Sequence, residues 1–344
     1  MIFETHTTEK INDISKRDVS VDYLRVISLF SIFLLHCSPP NTINALLQFC
    51  VPAMVFVSGV CFTRRILNKK EYYYYIKKRF FKIVRPASIF AVMFGVLVDF
   101  FCLLIHRDIL FSPMDIFRGM LLYDGIGYVW IMRVFFLISL LTPLAQRINS
   151  ITNEVLYICC CVVMFILYRA LFLSVENNSI LYHLLYYFIF ETIPYFLVWM
   201  TGMRYKNMKW WGKISIIVLC VLVLTLELIR NNCDIYFIRL TKYPPSSAYL
   251  TYGLVITIFL YELLRMVVGK NVKLIRLTTI TCYLSSKSNE LYLAHIPVVY
   301  FLFMIETRYS LPYFLKLTII ICSTIICLNL YIRIANGLKA PNRI

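Results

Sequence analysis

The chain is short of charge. Only 15% of its 344 residues are Asp, Glu, Lys or Arg, while 60% are hydrophobic; soluble domains carry roughly 25% charged residues. This excludes an ordinary water-soluble domain. Apolar runs of about 20 residues, the length a helix needs to cross a bilayer, recur along the whole chain. The two-residue alternation of a transmembrane barrel is missing, so the backbone must satisfy itself within helices. Also missing are a Cys-x-x-Cys spacing and a His/Cys cluster. The twelve cysteines are scattered through apolar runs, as at Cys159, Cys160 and Cys161. They read as small packing residues and imply neither a metal nor a bound cofactor. No internal repeat or duplicated pair of interrupted helices stands out, which weighs against the repeat architecture of many transporters. The opening "MIFETHTTEKINDISKRDVS" lacks the apolar core and small-residue cleavage site of a signal peptide. The first span is therefore expected to stay as an anchor behind a short cytoplasmic arm, residues 1–19.

What is present is the pattern of an all-α polytopic membrane protein. Ten spans are predicted near 20–37, 43–63, 83–105, 127–147, 152–173, 183–203, 213–230, 248–267, 288–305 and 312–334. The stretch 268–288 fits either a long loop or an interfacial helix. Lysine and arginine set the orientation. With the N-terminus inside, the inner tails and loops with their adjoining span ends hold 25 of the 35 basic residues, the outer loops and span ends six, and four lie within the spans. Ten spans return the tail, 336–344, to the same side. The expectation is one membrane domain over 20–335, both termini cytoplasmic, in the cell's inner or plasma membrane. The densest inner loop joins spans two and three and runs from Arg64 and Arg65 to Lys82 and Arg85. The net charge of +17 is accounted for by this topology and by anionic inner-leaflet lipid, not by nucleic acid. The same loop can also hold a phosphate-bearing cytoplasmic ligand.

Charges inside the membrane mark functional candidates. The first span reads "VDYLRVISLFSIFLLHC", with Arg25 toward its inner end and His36 at its outer end. Eleven residues at about 100° each make three turns plus about 20°, so both side chains share one helix face, separated by roughly 16 Å along the axis. Arg25 can also snorkel to the inner headgroups, and His36 can serve as a helix-end hydrogen-bonding group. Asp22, one turn from Arg25, reads as its ion-pair partner. Glu191 in "FETIPYF" is an intramembrane acid that either orients a histidine or neutralises Arg133. Asp99, His106 and His183 lie near outer ends, where they can line an entrance. Glu227, Glu262 and Lys316 fall on flanks or faces that the pattern leaves unassigned. The tyrosine-rich "EYYYYIKK" at 71–78 reads as an interfacial belt.

The first span resembles the opening of the acyltransferase-3 family, integral membrane enzymes that acylate extracytoplasmic glycans. The resemblance rests on Asp22, Arg25 and His36 at their spacing. Four further segments follow in order: "VPAMVFVSGVCF" with Pro52, Ser58 and Gly59; "KKRFFKIVRPA" with Lys82, Arg85 and Pro86; "GYVWIMRVFFLISLLTPL" with Trp130, Thr142 and Pro143; and "YLSSKSNELYLAHIPVVYFLF" with Tyr292, Leu293, His295 and Pro297. The likeness covers about residues 20–335. It departs at Lys82, where relatives often have arginine, and at a ninth-span glycine that is replaced here. Lysine cannot make arginine's forked phosphate contact and offers a point charge instead.

The resemblance implies that Arg25, Lys82 and Arg85 hold the acyl donor and that His36 is the catalytic base. Asp22, Ser58, Glu191 and His295 are possible supporting residues; His295 also reads as a hydrogen-bonded packing residue ahead of Pro297. The implied co-substrate is cytoplasmic acyl-CoA, with acetyl-CoA the first choice. The implied acceptor is an extracytoplasmic or lipid-linked glycan, with membrane lipid around the protein. Whether His36 deprotonates the acceptor or itself carries the acyl group stays open. Specificity is expected in the outer loops 106–126 and 231–247. The other class compatible with the buried charges is a transporter of a glycan or acyl compound without covalent chemistry.

Overall fold

The computed structural model describes residues 18–62, 66–123, 126–151, 153–175, 180–268, 275–306, 309 and 311–337. Most of the expected N-terminal arm, Arg64 and Arg65, and the tail from 338 lie outside the described residues. In chain order the helices are α1 (Val19–His36), α2 (Asn41–Val60), α3 (Lys69–Leu104) and the short α4 (Pro113–Met120). There follow α5 (Trp130–Leu140, continued at 56° by Thr142–Asn149), α6 (Glu154–Ser174), α7 (Leu181–Tyr205), α8 (Trp210–Arg230) and α9 (Ser247–Val268). The last three are α10 (Ile275–Ser286), α11 (Ser288–Glu306) and α12 (Tyr313–Gly337). Eight of these are long and apolar enough to cross a membrane, the bent α5 makes a ninth, and α12 contains a shorter apolar stretch, Tyr313–Asn329. Together they fall on the ten predicted spans, and no strand occurs among the described residues.

Two segments differ from expectation. The basic connection between spans two and three is helical from Lys69 onward. A capping box starts it: Asn68 accepts from the Glu71 backbone N–H, and Glu71 accepts from that of Asn68, both at 2.9 Å. The ambiguous stretch 268–288 is mostly helix α10, which packs along α1.

Prolines shape the bundle, and each freed carbonyl needs a new donor where water is excluded. Pro86 has no N–H to give Lys82 O, its normal helical acceptor. The chain widens into a π turn over Phe80–Val84, and Asn289 Nδ2 donates to Lys82 O at 3.2 Å. Pro143 likewise frees Ser139 O, which accepts from the Thr142 hydroxyl at 2.7 Å; here α5 bends. A second π turn, Tyr186–Phe190, sits just ahead of Glu191 and Pro194 in α7.

The centre of the bundle is α2 against α7. Of their most apolar windows 72% and 61% are buried, against 11% for α6 and 17% for α8. Close approach at that crossing depends on two glycines. A β-carbon at Gly59 would lie 2.1 Å from Trp199 O, and one at Gly202 would lie 2.2 Å from Phe56 O. A buried ion pair ties α7 to α6: Arg204 Nε donates to Glu154 Oε2 at 2.9 Å while its guanidinium covers the Tyr157 ring.

Candidate functional site

At one end of the bundle, α1 delivers His36 into a group of rings. The His36 ring stands edge-on to Tyr128, with centroids 4.3 Å apart, and lies 5.4 Å from the ring of His295 on α11. Phe33 and Tyr292 each approach the His295 ring to 5.0 Å. His295 is fully buried. Its Nδ1–H donates to Tyr292 O, a bond that leaves Nε2 as an acceptor. That Nε2 is buried and has no partner among the described residues. Tyr292 in turn donates its hydroxyl to Tyr128 O at 2.5 Å. This bond helps to hold Tyr128 at φ 72°, in the left-handed region that a bulky residue rarely adopts. The geometry therefore presents two neighbouring imidazoles next to a tyrosine whose backbone is fixed by α11.

At the other end of α1, Arg25 is anchored by α10. Its Nη1 donates to Ser285 Oγ at 2.9 Å, and Ser285 passes the bond on to Asp22 Oδ1 at 2.5 Å. The guanidinium lies 3.8 Å from the same carboxylate, and its other nitrogen reaches Cys61 Sγ at 3.5 Å. Asp22 is buried, while the Arg25 side chain is 22% exposed, so a fixed cation keeps one open side. Lys82 and Arg85 are exposed on α3, Arg85 lying over the Phe81 ring. The Asn289 bond to Lys82 O sets the first turn of α11 beside this basic segment. Ser58 is half-buried on α2 next to Gly59.

Glu191 is ion-paired with Arg133 on α5, both nearly buried. Arg133 Nη1 also donates to Leu122 O at 2.6 Å and to Tyr123 O at 2.5 Å, so one arginine closes the loop ahead of α5 onto α7. The pair lines a cleft of about 380 Å³ together with Tyr123, Tyr128, Trp130, Tyr186, Tyr187 and Tyr243. Tyr128 is common to the cleft and to the histidine group. Asp99, His106 and His183 do not line it. Asp99 instead accepts the backbone N–H groups of Leu110 and Phe111, both at 2.9 Å, as a loop staple. The three unassigned charges are paired as well: Glu227 with Ser247, Glu262 with Lys213 and Arg265, and Lys316 with Glu306. Among the described residues no group of three or more His, Cys, Asp or Glu is placed to hold a metal.

Sequence reasoning missed Ser285, Asn289, Tyr123 and Tyr187. Ser285 and Asn289 lie 260 and 207 residues from their partners, and no local pattern signals such contacts.

A bundle of apolar helices, with an anchored arginine at one end of its first helix and two adjoining imidazoles at the other, is a polytopic membrane protein built around buried polar chemistry. The family model described as an acyltransferase domain matches residues 18–331. The chain belongs to the acyltransferase-3 family and is a membrane acyltransferase. No curated protein and no solved structure matches it.

Proposed function

We propose that the protein is an O-acyltransferase, O-acetyl by first choice, that moves an acyl group from cytoplasmic acyl-CoA to a hydroxyl of an extracytoplasmic or lipid-linked glycan. The observation that carries this reading is α1 itself. It holds the Ser285-anchored Arg25 at one end and His36, beside His295 and Tyr128, at the other. With both termini cytoplasmic in the inner or plasma membrane, Arg25, Lys82 and Arg85 face the donor and contact its phosphates or thioester end. His36 faces the acceptor.

In the direct route, neutral His36 takes the proton from the sugar hydroxyl as the oxygen attacks the thioester carbonyl. The tetrahedral intermediate collapses, the C–S bond breaks, and the imidazolium returns its proton to the departing CoA thiolate. Products are the O-acyl sugar and CoA. The general-base term accounts for a factor of about 10² to 10⁴. The test is the acyl content of the surface glycan in cells that carry His36→Ala or Arg25→Ala at normal protein level. Loss is expected in both, and unchanged acylation in both refutes the reading. Acylation of a glycan by the purified protein from acyl-CoA excludes transport without chemistry.

A further inference from the structure

The cleft beside Tyr128 has a composition that an interfacial belt does not explain. Belt tyrosines face lipid headgroups; here five tyrosines and Trp130 converge on one concavity. Two ring pairs stand in it, Tyr123 with Tyr187 at 4.0 Å between centroids and Trp130 with Tyr243 at 5.2 Å. Among the described residues, the charged side chains in the lining are Arg133 and Glu191, which neutralise each other. Lys242 approaches the Tyr243 ring to 5.1 Å but is not part of the lining. Arg133 has a further property: its Nε–H is buried with no partner among the described residues. A buried donor left unpaired costs about 1–3 kcal/mol, and a ligand that draws the guanidinium toward the cleft relieves it.

These features select one ligand class. A nucleotide or phosphate needs net positive charge, which the paired arginine does not supply. A lipid chain needs a lining free of hydroxyls and charge. A sugar ring has apolar C–H faces that lie against aromatic rings and an edge of hydroxyls that meets tyrosine O–H, carboxylate and N–H groups. The volume, about 380 Å³, is at the small end for ligand sites and suits a single ring rather than a long oligosaccharide.

We infer that this cleft is the acceptor subsite, and that it takes an uncharged sugar ring whose reacting hydroxyl passes Tyr128 to reach His36. The inference rests on the O-acyltransferase reading above and adds the residues that choose the acceptor. Tyr187 and Trp130 stack on the ring, the Arg133–Glu191 pair binds its edge, and Tyr128 is a positioning residue.

The experiment uses the purified full-length chain in detergent micelles. Saturation-transfer NMR follows methyl β-glucoside and methyl N-acetylglucosaminide as neutral probes, with methyl glucuronoside as the anionic one. Acyl transfer from acetyl-CoA to the same probes is measured alongside. Wild type should give signal with a neutral probe and less with the glucuronoside. Trp130→Ala and Tyr187→Ala should raise the acceptor KM about three- to tenfold, the value of one lost ring contact. The acetyl-CoA KM should not move, and Trp130→Phe and Tyr187→Phe should restore binding. Tyr243→Ala, at a side chain that is 47% exposed, supplies a variant whose folding is not at stake. The inference is overturned if no neutral probe binds, if the glucuronoside is preferred, or if monodisperse alanine variants bind as wild type does. Two outcomes separate it from the reading it rests on. Sugar binding with the expected variant pattern but no acyl transfer removes the transferase chemistry and leaves the cleft. Transfer that is lost in His36→Ala while the acceptor KM ignores all three alanine variants leaves the chemistry and removes the cleft.

Discussion

Replacing Gly59 by alanine tests whether the α2–α7 crossing is as tight as its backbone contacts require. In a free helix this change stabilises by roughly 0.5–1 kcal/mol, because glycine loses more conformational freedom on folding. The fold reverses the sign. The added carbon would sit 2.1 Å from Trp199 O and 2.9 Å from Met203 N, whereas ordinary contact begins at 3.4 Å. The obstructing atoms are helix backbone and cannot rotate away. The two helices must part locally by 3.4 − 2.1 = 1.3 Å, and buried Phe56, Phe196 and Trp199 lose contact around the gap. Overpacking of this kind costs about 1–3 kcal/mol, and a radial gap of 0.5–1 Å already forfeits roughly a quarter to a half of each dispersion well. Net of the propensity gain, Gly59→Ala and Gly202→Ala should each destabilise by about 1 kcal/mol. Because both push the same helices apart, the double variant should fall short of the sum by at least about 0.5 kcal/mol. Unfolding by sodium dodecyl sulfate in mixed micelles, followed by tryptophan fluorescence, measures all three. A neutral or stabilising single variant, or strict additivity, refutes the reasoning.

Ser285→Ala removes the bridge between Arg25 and Asp22; on the proposed reading it should raise the acyl-CoA KM about tenfold, the lower range for a hydrogen bond to a charged group, with the acceptor KM unchanged in steady-state kinetics. Glu191→Ala leaves Arg133 buried without its carboxylate and should destabilise by about 3–5 kcal/mol in the same micelle assay, whereas adding Arg133→Met should recover most of that loss. At Asp18, burial works to raise the carboxyl, but hydrogen bonds from Lys206 and Tyr261 outweigh it and hold the group below its ordinary value. A lowered carboxyl stabilises the fold fully above its unfolded value of 3.8 and loses that contribution as pH falls through the lower folded value. Thermal midpoints measured from pH 6 downward should therefore fall more steeply below about pH 4 for wild type than for Asp18→Asn.

The positions of the long apolar helices were legible because hydropathy is local and a bilayer sets their length. Asp22 beside Arg25 was legible for the same reason, as an i, i+3 pair on one helix. What stayed hidden depends on how separate helices rotate against one another. Glu191 was visible as a buried acid, yet either of its two roles fitted the sequence until α5 and α7 were in place. The basic connection read as loop because its polarity masked the helix that Asn68 and Glu71 start. The cleft was half legible. Leu122, Tyr123, Ile126 and Tyr243 lie within the loops expected to carry specificity, but Tyr186 and Tyr187 come from a π turn of a span, and nothing in "YYFIF" announces that turn.

Helix α11 links the two ends more closely than α1 does. On α1, Arg25 and His36 are roughly 16 Å apart along the axis. On α11, Asn289, bound to the backbone of Lys82, and His295, against His36, are six residues apart, or about 9 Å. The basic segment of α3 and the imidazoles are thus coupled through less than two turns of one helix. On the proposed reading, this lets the phosphates of acyl-CoA stay with Arg25, Lys82 and Arg85 at the cytoplasmic face. Only the narrow thioester arm has to enter the bundle, along α11, to meet a hydroxyl held near Tyr128. The bilayer's central obstacle, a highly charged donor that cannot cross, is then met by bringing the catalytic base inward rather than by carrying the donor outward.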